Sequence, residues 1–400
     1  MNRDGIPDGW KVKPLGACVA PKELWNQTRN PREHIRYVEL SGIDNERGVI
    51  TNASDIAASF APSRAKKIIR TGDVLFATTR PNLKNIAVVP AELNAEICST
   101  GFCVLRPKPK EITSGWIFYI VQSDWFISQV VRHDEKNAYP SVSDGEVLAV
   151  SVPLPPLPEQ RRIVARIAAL TGRLEQARQA RQEAIDEAKS LFQRVLENQF
   201  SEDAAKDWDK FPAQEVFDIV SGQVNPFDER YRALPYLGPE HVESGTGRIV
   251  GEKRSVAVLE MKSGKYHFTP EHVVYSKIRP ALRKVCMPGY AGLCSADMYA
   301  LAPKTRILSR EFLFFLMLSP AFSAYAVDNS DRNAMPKINR EALFAFTFRL
   351  PKKPEQKRIV RRLTRLRSSL DRLLHLQAET EAELAAFTPA LLAKAFRGEL

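Results

Sequence analysis

The segment PLPPLPEQRRIV at residues 153–164 returns as LPKKPEQKRIV at residues 350–360. A proline-stiffened run, a PEQ triplet and a basic helix start written twice, 196 positions apart, oblige the chain to solve one folding problem twice. The duplication extends far beyond this motif. RYVELSGI at 36–43 faces PYLGPEHV at 235–242, and GDVLFATTRPNLKNIAVVP at 72–90 faces EHVVYSKIRPALRKVCMP at 271–288. ICSTGFCVLRPK at 97–108 faces LCSADMYALAPK at 293–304, and WIFYIVQSDWF at 116–126 faces FLFFLMLSPAF at 312–322. The register begins at 199 and settles at 196, as small loop deletions between two copies would leave it.

Each copy has the same internal order. A globular part of mixed short β-rich runs and buried helices comes first, and a long helical arm closes it. The irregular alternation of strands with few helices predicts an α+β fold rather than a doubly wound sheet. The expected boundaries are a first domain over 1–152, a strap and long helix over 153–200, a second domain over 201–349, and a second strap and helix over 350–400.

The arms carry apolar residues at steps of three and four. The first stripe runs Ile163, Ile167, Leu170, Leu174, Ala177, Ala184, Ala188, Leu191, Val195, with Arg181 as its one charged member. The second runs Ile359, Leu363, Leu366, Leu370, Leu373, Gln377, Thr380, Leu384, Phe387, Leu391. This is coiled-coil spacing. A helix of about 40 residues is roughly 60 Å long and cannot bury such a stripe alone. Two in one chain predict an antiparallel pair; separate helices for homodimerisation are the alternative. Proline fixes φ and offers no N–H, so the strap reads as an extended segment without a ladder. Pro158 and Pro354 then fall in the first helical turn, where the missing N–H is not needed.

Several function classes have no support. There is no G-x-G-x-x-G, Walker A, HExxH or GxSxG pattern. The E-x-K triplets at Glu260–Lys262 and Glu355–Lys357 arise easily by chance. Five cysteines without a CxxC read as buried thiols of a reducing compartment. No apolar run is long enough to span a bilayer and the N-terminus shows no secretory pattern, so the expectation is a cytoplasmic protein with no membrane partner. The net charge of +11 points to a polyanionic partner, nucleic acid before membrane. A duplicated, basic chain with a rigid spacer reads as a binding protein. A coiled-coil adaptor for other proteins is the rival, and it leaves the basic charge unexplained.

Two divergent repeats, each ending in a PLPPLPEQRRIV-like strap and a long helix, resemble the specificity (S) subunits of type I restriction-modification systems. Trp10–Val12 and Trp208–Lys210 resemble the starts of the two target-recognition domains. The LPKKP of the second copy departs from the usual strap. The resemblance implies that each domain reads one half of a split site on double-stranded DNA, and that the paired helices set the gap. It implies two methyltransferase (M) subunits and restriction (R) subunits as partners in phage defence. S-adenosylmethionine, ATP and Mg are then expected on those partners, with no cofactor, metal or catalysis in this chain. An orphan S-like DNA binder is a further alternative.

Readout of DNA needs Arg, Lys, Asn, Gln or hydroxyl groups on loops or helix starts. Two matched loops supply them. The first carries Thr78, Thr79, Arg80 and Lys84, facing Lys277, Arg279, Arg283 and Lys284. The second carries Lys136 and Asn137, facing Arg332 and Asn333. Arg80 and Arg279 are identical in the two copies, which suits either a phosphate contact or a structural role. Specificity must come from residues that differ. Candidates are Asn26, Gln27, Arg29 and Arg32 in the first copy, and Gln223, Arg230, Arg232, Lys262, Lys265 and His267 in the second.

Overall fold

The computed structural model describes residues 7–131, 141–331 and 335–400. They divide into two compact units, Met1–Arg178 with Glu379–Leu400, and Gln179–Ala378. Each unit therefore combines one globular domain, the first half of the helix that follows it, and the last half of the other long helix.

In the first unit a four-stranded sheet runs in the order Ile86–Val88, Val74–Ala77, Phe102–Pro107, Val19–Ala20. A five-stranded sheet has the order Glu23–Leu24, Ala65–Ile68, Ile97–Ser99, His34–Val38, Ser54–Ala57. Its Ile97–Ser99 and His34–Val38 strands pair parallel. The second unit repeats the plan with Phe217–Ile219, Met298–Pro303, Val273–Ser276 and Val285–Cys286. Its smaller sheet holds Tyr236–Leu237, Gly292–Cys294 and Tyr266–Phe268, with Tyr236–Leu237 parallel to Gly292–Cys294. The expected α+β class is thus present twice.

Three local expectations change. The apolar segments after Thr113 and Ser309 are not single helices. Each breaks at a serine, giving Ser114–Gln122 with Asp124–Val130, and Arg310–Leu318 with Pro320–Asp328. Ser123 Oγ donates to the Ile120 carbonyl (2.6 Å) and accepts from Phe126 N (3.1 Å); Ser319 does the same with Leu316 and Phe322. One hydroxyl ends one helix and caps the next. The strap also has a ladder. Ser151–Leu154 pairs antiparallel with Lys11–Pro14, and Thr347–Leu350 with Asp209–Pro212. In a two-stranded ribbon proline can face outward at no cost in hydrogen bonds, and the Pro153 carbonyl accepts from Trp116 Nε1 (3.0 Å). Finally, the first stripe continues through Phe192 and Leu196, both buried, while Leu191 is 45% exposed. Phe387 of the second stripe is exposed, while Leu391 is buried as expected and the stripe continues through Leu392 and Ala395, also buried.

The PEQ motif is the joint between domain and arm. Gln160 is fully buried, and its Nε2 donates to the Glu111 (3.0 Å) and Pro155 (2.9 Å) carbonyls while its Oε1 accepts from Thr113 N (2.9 Å). Gln356 donates in the same way to Ile307 (2.9 Å) and Pro351 (2.9 Å). The neighbouring glutamates stay near the surface and pair one turn on, Glu159 with Arg162 (2.7 Å) and Glu355 with Arg358 (2.5 Å).

The long helices span Leu157–Gln199 and Lys353–Phe396, the latter with Pro389 in its interior. Within the first unit Arg162 donates to the Leu400 carbonyl (2.5 Å) and Arg178 lies 3.6 Å from Glu381, so the helices run antiparallel. Ile163 and Ile167 share a core with Leu391, Leu392 and Ala395. Within the second unit Phe192 and Leu196 share a core with Ile359, Leu363 and Leu370. There Arg181 donates to the side-chain and main-chain oxygens of Gln377, its equivalent 196 residues on. Equivalent residues must meet at the midpoint of an antiparallel pair built from two copies of one helix. A polar layer at such a position fixes register at some cost in stability.

Matched aromatic trios lock each domain to its helix ends. Trp10 and Phe396 pack edge-on against Trp116 (5.7 and 5.4 Å). Trp208 and Phe200 pack against Phe312 (6.2 and 5.7 Å). Phe200 and Phe396 end the two arms, so each domain grips the tail of the helix from the other copy. Another shared device is the glycine turn. Gly48 (φ 65°) and Gly247 (φ 69°) lie so close to Phe118 and Phe314 that a Cβ could not be placed. All five cysteines are buried free thiols, and burial pushes Cys98, Cys103 and Cys294 up to about 12.

Candidate nucleic-acid interface

After Val74–Ala77 and Val273–Ser276 the chain enters the same unusual turn. Arg80 (φ 50°, ψ 57°) and Lys84 (φ 51°, ψ 41°) are left-handed and flank the 3-10 turn Pro81–Leu83. Arg279 (φ 47°, ψ 61°) and Arg283 (φ 48°, ψ 50°) flank Pro280–Leu282. A non-glycine residue in this region costs about 1–2 kcal/mol. Glycine would remove the strain, yet all four positions are basic. Pro81 and Pro280 are buried, so the turn is anchored while Arg80 and Arg279 are exposed.

The structure brings the two predicted loops of each copy together. Val142 N donates to the Thr78 carbonyl (2.9 Å), and Thr79 bridges Ser141. Ile338 N donates to the Lys277 carbonyl (2.9 Å), Arg279 N to the Pro336 carbonyl (2.7 Å), and Ile278 bridges Lys337. The predicted Lys136, Asn137, Arg332 and Asn333 lie outside the described residues. In the second unit the joined loops border an open cleft of about 780 Å³, lined among others by Arg279, Leu282, Asp328 and Pro336.

The remaining predicted side chains divide by what they touch. Thr79, Arg80 and Arg279 are exposed. Lys84 donates to Asp124 (2.5 Å), and Lys277 lies over the Tyr299 ring (5.4 Å). Thr78 is buried and donates to the Gly101 carbonyl (2.9 Å). Arg283 donates to Gln193 of the first long helix, and burial lowers its guanidinium pKa. Lys284 donates to the Pro239 carbonyl (2.6 Å).

Some candidates for specificity hold their own loops. Asn26 Oδ1 accepts from Thr28 N (2.9 Å), as Asn225 Oδ1 accepts from Phe227 N (3.0 Å), so this turn is shared by the copies. Gln27 brackets the Arg32 backbone (2.9 and 3.2 Å), and Arg32 donates to the Ala95 carbonyl (2.8 Å). Arg230 pairs with Asp228 (2.7 Å) and Arg232 with Glu229 (2.9 Å). Lys265 is buried on Ser263 (2.5 Å), and His267 packs against Tyr231 (5.6 Å). Arg29, Gln223 and Lys262 are exposed.

Arg29 sits with Lys22, Trp25, Asn26, Lys66 and Asp144 on a cleft of about 710 Å³ in the first unit. Its floor holds an ion pair that sequence reasoning missed, because its members are 77 residues apart. Lys67, 4% exposed, donates to Asp144 (2.8 Å) and to the Phe102 carbonyl (2.6 Å), and Lys22 also donates to Asp144 (2.8 Å). Burial alone would raise the Asp144 pKa, but the two lysines outweigh it and hold the carboxyl below its usual range.

The strained turn yields a direct prediction. Replacing Arg279 by glycine relieves about 1–2 kcal/mol of backbone strain, offset by about 0.4–1 kcal/mol of glycine flexibility in the unfolded chain. Thermal unfolding is expected to shift slightly upward or not at all. DNA affinity is expected to fall, with the salt slope reduced by about one. A destabilised variant with unchanged binding returns Arg279 to a structural role.

Residues 8–184 and 205–384 each match the type I restriction modification DNA specificity domain. The chain belongs to that family. Specificity domains therefore account for both repeats and most of both arms. The chain is 30% identical over 328 residues to the type I restriction enzyme EcoDI specificity subunit of Escherichia coli, covering 73% of this chain and 71% of that protein. It is also similar to a solved chain described under complex assembly and conformational transition of the type I R-M system, with 34% identity, a TM-score of 0.82 and 99% of both chains covered. The HsdS subunit from Thermoanaerobacter tengcongensis matches at 34% identity and a TM-score of 0.66, over 99% of this chain and 98% of that one. Among the described residues no single helix is long and apolar enough to cross a membrane, and no cluster of His, Cys, Asp and Glu suits a metal ion.

Proposed function

We propose that this chain is the DNA-reading specificity subunit of a type I restriction-modification enzyme, with each domain reading one half of a two-part site. The observation that carries the reading is the strained basic turn, present once in each specificity domain. Left-handed Arg80 and Arg279, both exposed and kept where glycine is cheaper, point to selection for charge, and their matched placement suits phosphate contacts that are alike at both half-sites. The antiparallel arms then act as a spacer whose length sets the gap.

In this reading the chain is not itself catalytic. Two methyltransferase subunits dock on it and carry S-adenosylmethionine, and restriction subunits add ATP- and Mg-dependent translocation and cleavage. A base inside a duplex must be flipped out before methylation, so the specificity subunit's task is to hold the duplex in register for that step.

Selection from a random DNA pool by the chain assembled with its methyltransferase subunits tests the proposal. Enrichment of two short elements at a fixed spacing is expected. Enrichment of one continuous element, or of none, counts against it.

A further inference from the structure

The two domains share their turns and strands, yet at one place beside the joined loops they exchange four side chains as a set. Asp144 and Arg340 open matched six-residue helices, capped by Ser143 and Asn339. Lys67 and Tyr266 pair with the matched Cys98 and Cys294. Thr78 and Lys277 directly follow the matched strands, and Cys103 matches Tyr299. In the first domain the charges of the set cancel, because Asp144 accepts from Lys67, and Lys22 outside the set donates to it as well.

In the second domain the carboxylate is replaced by a guanidinium. Arg340 lies over the Tyr299 ring at 5.9 Å and Lys277 over the same ring at 5.4 Å. The Tyr299 hydroxyl reaches the Ile338 carbonyl (3.4 Å), and the Ile338 N–H donates to the Lys277 carbonyl where the two loops meet. Among the described residues neither cation has a carboxylate partner, and Arg340 is exposed. Two like charges on one ring are held by its π face but repel each other until an electron-rich group arrives. A phosphate is the same at every step of DNA, so a phosphate contact gives no reason for the copies to differ. Arg80 and Arg279 are identical and suit that role. The charge reversal from Asp144 to Arg340 suits a base edge. A guanidinium held beside the face of an aromatic ring has fewer orientations to lose when it meets the two acceptors of guanine, O6 and N7.

We propose that Arg340, braced on Tyr299 beside Lys277, reads a guanine in the half-site of the second domain. The inference rests on the DNA-reading proposal above. Random-pool selection with the complex carrying wild-type chain, Arg340→Ala or Arg340→Lys tests it. Wild type is expected to require a G·C pair at one position of one half-site. Arg340→Ala is expected to lose that preference by roughly 10- to 100-fold, leaving the other half-site unchanged. Arg340→Lys is expected to keep the salt slope and lose most of the preference. An Arg340→Ala complex that selects the wild-type sequence overturns the inference alone. So does one weakened equally at all sequences, which marks a phosphate contact. A wild-type complex that selects no two-part sequence overturns the inference together with the reading beneath it.

Discussion

Replacing Gln160 by leucine is expected to destabilise the first unit by about 3 kcal/mol, and Gln356→Leu is expected to do nearly the same to the second. Leucine and glutamine are near-equal helix formers, so the helix itself is unaffected. The loss comes from the groups left behind. Gln160 satisfies two carbonyls and one N–H, and Gln356 two carbonyls, at the point where strap, preceding loop and arm meet. Each buried group left without a partner costs about 1–3 kcal/mol. Thermal unfolding should shift down by roughly 6–12 °C for a unit of this size. Hydrogen exchange should quicken first around Glu111–Thr113 or Ile307. An unchanged midpoint would mean that PEQ is a helix start and nothing more.

Inserting four residues at facing points of both arm helices is expected to widen the recognised gap by about two base pairs. Four residues add roughly 6 Å of helix, against ~3.4 Å per base pair. Insertion in one helix alone should instead break pairing, because the Arg181–Gln377 layer holds a single register. Methylome sequencing of cells carrying each variant reads the gap directly. An unchanged gap after the double insertion would sink the spacer role of the arms.

The sequence discloses repetition better than contact. Both arms were legible because a stripe at steps of three and four leaves few alternatives, and the duplicated motif placed their starts at the right prolines. Arg181 and Gln377 stood out as polar members of those stripes, although nothing in either helix alone says that they touch. The strap's ladder was hidden, since proline argues against pairing and its partner strand lies some 140 residues upstream. The breaks at Ser123 and Ser319 had a signal that the apolar pattern around them outweighed: the polar Gln122–Asp124 in the first run, and a serine followed by Pro320 in the second.

The candidate interface was legible in part for the same reason. Identity between copies picked out the Arg-Pro turns, but only the backbone shows that Arg80, Lys84, Arg279 and Arg283 are strained. It also shows that Arg283 and Lys284 have partners inside their own unit. Residues chosen because they differ, such as Gln27 and Arg32, turned out to hold their own loop. The signal that would have found Arg340 was present in the alignment of the repeats: a charge reversal at position 144 against 340, inside otherwise matched helices.

The most direct test of the whole account is methylome sequencing of cells that express the partner methyltransferase with and without this chain. The account predicts an adenine-methylated motif of two short elements with a fixed gap, present only with the chain. Methylation that does not depend on the chain, or a motif without a gap, would contradict it.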